Sequence, residues 1–262
     1  MVFINLLTIK EIGMKLNQAG RLSNIPLCIY GTDEIPGNAE LVNKIDRCLA
    51  KAIFSLSINK SMNAIYISED NLIGICPGGQ AWLGYKPFLP MLKYFLSTGI
   101  KTFRKGAAEF LLSSPELAEK QLKMIGNLEP LGKFTVIQKY DTIENDKIDV
   151  KSFLCFGNAE QIRNLCSLAY FNPEDSFTIQ VPWGASCASF ITYSARISQK
   201  YSENTIIIGP TDPTGNYWFP ENFLSIGIPF KIAERMALDL EKSFIKKRPT
   251  VAYPSKRTLI LR

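Results

Sequence analysis

Ile73-Gly74-Ile75-Cys76-Pro77-Gly78-Gly79-Gln80-Ala81-Trp82-Leu83-Gly84 is the stretch on which the fold turns. Apolar residues run into a cysteine, two glycines free the backbone for a sharp turn, and Gln80-Ala81-Trp82 resumes with helix-forming residues. The order predicts the end of a buried strand, a turn carrying a thiol, and a helix start. A second stretch, Val181-Pro182-Trp183-Gly184-Ala185-Ser186-Cys187-Ala188-Ser189-Phe190, has the same plan. Two such turns at equivalent places in two related half-domains would put any active site between them.

The sequence around each turn supports that symmetry. Leu27-Cys28-Ile29-Tyr30-Gly31 leads to Asn38-Ala39-Glu40, and Leu154-Cys155-Phe156-Gly157 leads to Asn158-Ala159-Glu160. Each block reads as strand, glycine, capped helix and strand, with Cys28 matching Cys155, Cys48 matching Cys166 and Cys76 matching Cys187. The first helix is predicted from about Ala39, with Leu41, Ile45, Cys48, Leu49, Ala52, Ile53 and Leu56 on one face. Ala64–Ile67 and Leu72–Ile75 read as a hairpin. The blocks, 24–90 and 149–200, differ in spacing, the first having extra residues before its helix. They predict an α/β fold, with α+β as the alternative. Two pseudo-repeated βαβ-type half-domains with right-handed crossovers would pack around a central cleft, within a single globular domain over 1–262. Elsewhere, helices are predicted around 9–22, over 91–112, from Ser114-Pro115 to near Gly126, and from Pro229 onward. Further strands are predicted at 133–140 and 205–209.

An apolar content of 46% and a charged content of 21% are those of a globular protein with a sizeable core. Met1–Lys10 lacks a basic n-region and a small-residue cleavage site, so a signal peptide is not expected. No window approaches the roughly 18 uninterrupted apolar residues of a membrane span. A cytoplasmic location follows as the expectation. The net charge is +6, but only Lys242, Lys246, Lys247 and Arg248 cluster, and a helix end accounts for them. Neither nucleic acid nor membrane is an expected partner.

The chain has no histidine. That excludes imidazole bases, Ser-His-Asp and Cys-His catalysis, and His-ligated metals. Six cysteines stand at 28, 48, 76, 155, 166 and 187, none in a C-x-x-C pair. Reduced thiols are expected in a cytoplasmic protein. A thiol at a helix start is made acidic by unpaired N–H groups, which singles out Cys76 and Cys187. Gly78, Gly79 and Gly184 would let a ligand approach the backbone, and Ser186 and Ser189 could donate hydrogen bonds to it. Trp82, Trp183 and Trp218 could line the cleft, and Arg47 could pair with an acidic ligand. Each also has a plain structural reading as a packing, turn or solvated residue. For Cys28, Cys155 and Cys166 the core reading is the stronger.

A cysteine in a helix, a strand, Cys76-Pro77-Gly78-Gly79, Leu83-Gly84, and far downstream Gly184-Ala185-Ser186-Cys187-Ala188 together resemble the uncharacterised archaeal and bacterial ArCR family, domain of unknown function 169. The resemblance runs from about residue 20 to 245 and takes in 149–171 and 209–229. It implies no activity, but it implies that Cys48, Cys76 and Cys187 belong to the family pattern. The family is frequent in anaerobes, which suits an oxygen-sensitive centre.

Three function classes follow. The first is a metal or iron–sulfur centre held by Cys48, Cys76 and Cys187, with one position open and a redox or cofactor-related role beside a redox partner. The second is a metal-free module binding a small anionic or aromatic ligand. The third is a thiol enzyme using Cys76 or Cys187.

Overall fold

Eight strands form one mixed sheet in a computed structural model of the chain, which describes residues 7–173, 176–197, 202–212 and 217–247. In chain order they are β1 (Leu27–Thr32), β2 (Ala39–Leu41), β3 (Ala64–Ser68), β4 (Phe134–Lys139), β5 (Val150–Asn158), β6 (Ile179–Gln180), β7 (Ile206–Gly209) and β8 (Phe223–Pro229). Across the sheet the order is β2-β3-β4-β1-β5-β8-β7-β6. β1 and β5 pair antiparallel at the centre, with Leu27 opposite Leu154. Parallel pairing is confined to the outer pairs, β2 with β3 and β6 with β7.

The helices are α1 (Ile9–Gly20), α2 (Leu49–Ile58), α3 (Pro77–Trp82), α4 (Leu92–Phe95), α5 (Pro115–Ile125), α6 (Ala159–Ala169), α7 (Phe230–Asp239) and α8 (Phe244–Lys247). A π-helix covers Ala188–Thr192. The central strands are apolar on both sides, so both faces of the sheet need cover. On β5, Phe153 and Cys155 turn to a core shared with α1, α6 and α7, while Leu154 and Phe156 turn to one shared with α2, α3 and the π-helix.

Capping fixes several helix ends as the sequence suggests. Asn158 and Gln161 form a capping box on α6, and Ser114 caps α5 by accepting the Leu117 N–H. Gly126 ends α5 at φ 79°, a backbone angle that suits glycine. The predicted strands at 133–140, 149–157 and 205–209 are present as β4, β5 and β7.

Other expectations are corrected. The helix predicted from Ala39 is absent there. Ala39–Leu41 is the edge strand β2, and the helix starts only at Leu49, because pairing to β3 overrides the helical spacing. Cys48 is therefore the residue before the first turn of α2, not a residue of its apolar face. The predicted hairpin is also absent, since β3 pairs with β2 and β4. Leu72–Ile75 is a turn in which Ile73 is 89% exposed and Gly74 has φ 90°. Cys76 thus follows a turn, not a strand. Residues 91–112 contain α4, a short 3-10 turn at Arg104–Gly106 and irregular backbone, with positive φ at Gly99, Arg104, Lys105, Gly106 and Phe110. β8 was not foreseen at all. The expectations for Met1–Leu6 and for the tail from Pro249 lie outside the described residues.

Candidate functional site

The first turn of α2 is where the cysteines meet. A helix leaves its first four N–H groups without intrahelical partners. The Cys48 N–H finds one in Asp46 Oδ1 at 2.8 Å, while the Cys48 side chain makes no cap bond of its own. The Leu49, Ala50 and Lys51 N–H groups lie close enough to Cys76, Cys187 and Cys48 to favour the charged form of each thiol. Three thiols from three separate segments thus border one cavity beside a positive helix end.

Local chemistry delivers each sulfur there. The turn before Cys76 is tied by Gln80 Nε2, which donates to the Leu72 and Ile75 carbonyls at 3.1 and 2.7 Å, and by Asn43 Nδ2 to the Ile73 carbonyl at 2.7 Å. The Cys76 N–H then donates to the Arg47 carbonyl at 2.8 Å, which sets the backbones at 47–48 and 76 side by side. Cys76 also caps α3, its sulfur accepting the Gly79 N–H at 3.3 Å. Gly79 is needed for that approach, since a Cβ there would stand 3.0 Å from Leu49 Cβ and 3.2 Å from Cys76 Sγ. Cys187 precedes the π-helix, which is locked to α3 by Thr192 Oγ1 donating to the Trp82 carbonyl at 2.6 Å. Tyr193 OH donates to the Trp183 carbonyl at 3.0 Å.

The thiols are electrostatically unequal. The neighbouring Cys48, with the Gly79 and Leu49 N–H groups and the Arg104 charge, outweighs burial and lowers Cys76 to about 6. Cys48 is raised by the neighbouring Cys76 and by burial. Burial, then the neighbouring Cys76 charge, pushes Cys187 well above the ordinary thiol range. Cys28 and Cys155 are raised by burial inside the opposite core, and Cys166 sits on α6 against that same core. These three are remote from the pocket.

Cys48, Cys76 and Cys187 line a cavity of about 270 Å³. Trp82, Trp183, Phe95 and Leu96 give it apolar walls, and Gly78, Gly79 and Ser186 complete the side nearest the thiols. Arg104 stands at the rim with its guanidinium 4.1 Å from the Phe95 ring centre. Glu109 and Asp212 also border the space.

Several sequence candidates fall elsewhere. Gly184 does not line the cavity; a Cβ there would meet Ala188 Cβ at 2.8 Å, so its smallness serves packing. Trp218 packs on Phe54 and Phe219, Ser189 Oγ donates to the Ser186 carbonyl, and Arg47 is exposed. Arg104, Phe95 and Glu109 were missed because 91–112 reads as helix. Gly99 and Gly106 around Lys101, Arg104 and Lys105 were the available signal of a loop.

Among the described residues no group of three or more Cys, Asp or Glu side chains is arranged to hold a metal ion. Also among them, no helix is long and apolar enough to cross a membrane. Two larger open grooves, of about 750 and 910 Å³, are lined around Tyr30 and around Leu131 and contain no thiol.

A family model described as uncharacterised ArCR, domain of unknown function 169, matches residues 15–238. No curated protein and no solved structure matches the chain.

Proposed function

The chain belongs to the ArCR family, domain of unknown function 169, and from that premise we propose that it is a thiol-dependent protein. Cys76 acts as a reactive thiolate on a small apolar or aromatic ligand held between Trp82 and Trp183. One observation carries this. The Cys76 sulfur accepts the Gly79 N–H at 3.3 Å, is lowered most by the neighbouring Cys48, and borders the cavity. Donors of that kind stabilise a thiolate and leave it exposed to a ligand. Cys187, raised by burial and 6% exposed, is not a nucleophile in this scheme.

We further propose that the cavity lies between two pseudo-repeated halves. Outward from the central pair the strands run β1-β4-β3-β2 on one side and β5-β8-β7-β6 on the other. The outermost strands are parallel on each side. Cys48 and Cys187 stand the same number of residues beyond β2 and β6, each opening the crossover to the next strand. Right-handed crossovers would lay both on one face. The counterpart of Cys187 is then Cys48, rather than Cys76 as sequence spacing alone suggests.

Iodoacetamide labelling of protein purified without air, with the peptides mapped by mass, tests the thiolate. At pH 7 Cys76 is expected to react at least about tenfold faster than any other cysteine, as follows from its larger thiolate fraction. Uniformly slow labelling would remove the basis of the proposal.

A second reading keeps Cys48, Cys76 and Cys187 as ligands of a soft metal or iron–sulfur cluster. The meeting of three cysteines on one cavity favours it, the Gly79 N–H···S bond is of a kind that tunes cluster-bound sulfurs, and a cation would offset the burial and the Cys76 charge that raise Cys187. Bound iron and visible absorption after anaerobic purification, both lost in Cys76→Ser, would establish it in place of the free thiolate.

A further inference from the structure

We propose that Cys48 and Cys76 form a two-electron dithiol–disulfide pair, with Cys76 as the attacking sulfur, Cys48 as the resolving sulfur and a low-molecular-weight disulfide as co-reactant. This rests on the thiolate assignment above and adds a partner residue and a substrate class to it.

The geometry is specific to this pair. Each of the two thiols is the strongest influence on the other's ionisation, and both line one cavity. Their backbones are held together by the Cys76 N–H bond to the Arg47 carbonyl at 2.8 Å. A disulfide needs Cα atoms about 4.4–6.8 Å apart with side chains facing each other, and adjacent backbones with both side chains on one cavity answer that need. Both residues are half-buried and border the same cavity, so a small disulfide can reach Cys76 with Cys48 beside it. Cys187 belongs to the same gathering but not to the pair. It is buried, and it is raised first by that burial and then by the Cys76 charge. Cys28, Cys155 and Cys166 lie with the other core.

The steps balance. The Cys76 thiolate attacks one sulfur of R–S–S–R, forming a Cys76–S–S–R bond and releasing RS⁻, which takes the proton that Cys48 gives up. The Cys48 thiolate then attacks Cys76 Sγ, forming the Cys48–Cys76 bond and releasing the second RS⁻, protonated by water. The protein loses two electrons and two protons, and R–S–S–R becomes two R–SH. Thiolate attack through such a mixed disulfide is the general route of exchange.

Bis(2-hydroxyethyl) disulfide, small and uncharged, is the probe. The full-length protein, reduced and desalted without air, is treated with it and followed by intact mass and peptide mapping. The wild type is expected to lose two hydrogens and retain no adduct, with the 48 and 76 peptides cross-linked. Cys48→Ser is expected to retain one hydroxyethylthio group on Cys76, and Cys76→Ser to form neither species on the same timescale. Alkylating the wild type before and after oxidation, with light and heavy reagent, reads the same pair without a variant. Fast alkylation of Cys76 with a persistent adduct in the wild type would overturn the resolving role alone. A Cys76 that neither alkylates nor takes the adduct would overturn the thiolate assignment as well. A disulfide that still forms in Cys76→Ser would assign the chemistry to other sulfurs and overturn the pair.

Discussion

Phe156→Ala is expected to destabilise the protein by about 3–5 kcal/mol, the cost of removing a large ring from a packed core and leaving a cavity. Phe156 is fully buried on the central strand β5. Its ring stands 5.2 Å from Phe54 of α2, 5.0 Å from Phe190 of the π-helix and 5.9 Å from Phe219, all edge to face. Such pairs add to the burial term. The melting temperature should fall by on the order of 10 °C for a chain of this size. The effect reaches the site, because Cys48 stands at the start of α2 and Cys187 at the start of the π-helix. Labelling of Cys187, which local opening of this cluster exposes, should therefore quicken more than that of Cys28 on the other face, which gains only from global unfolding. A urea midpoint within error of the wild type would mean that the cluster does not bear on stability.

How much of this could be read beforehand depends on where the determining interactions lie. Local signals did well. Asn158 with Gln161, and Ser114 with Pro115, fix helix starts within a few residues of chain, and the apolar run of β5 marks a strand buried on both sides. Signals set by distant pairing did poorly. Ala39–Leu41 has helical spacing to Leu56, yet β3 claims it as an edge strand. Leu72–Ile75 has strand composition, yet β4 occupies the place beside β3 that a hairpin would need. β8 was missed because Phe223–Pro229 alternates weakly and its partner, β5, lies far back in the chain.

The site was legible in its residues more than in its geometry. Cys48, Cys76, Cys187, Gly78, Gly79, Trp82 and Ser186 do border one cavity. The reason they meet was not readable. Sequence spacing paired Cys76 with Cys187 through two similar turns, whereas Cys48, Cys76 and Cys187 all meet on one cavity beside the first turn of α2. That helix start depends on Leu41 ending β2 and on Asp46 accepting the Cys48 N–H, with Lys51 paired to Asp46 at 2.8 Å. Arg104 entered through a loop whose form is set by glycines at 99 and 106 rather than by apolar periodicity.

The thiols also make the protein sensitive to alkali, and the size of that effect follows from burial. Cys28, Cys155 and Cys187 are all shifted upward, with desolvation as the first cause. An unfolded thiol ionises near pH ~8.5. Between that value and the raised folded values, the unfolded chain has lost these protons and the native chain has kept them. Stability present below the unfolded pKa is therefore lost as the pH rises, by about 4 kcal/mol per pH unit for three such groups. Cys76 has the opposite sign. Its folded value is lowered, so its contribution is present above the unfolded pKa and is lost as the pH falls through the folded one. These four cysteines together thus place greatest stability near pH ~8. Urea midpoints of the reduced protein at pH 8, 8.5, 9 and 9.5 should fall steeply, in a window below the usual tyrosine and lysine titrations. Cys28→Ala should cost stability at pH 8 but flatten the slope by about 1.4 kcal/mol per pH unit, the value for one proton. A wild type whose midpoint stays level to pH 9.5 would mean that the buried thiols ionise within the fold, and Cys76 would then no longer stand apart from them.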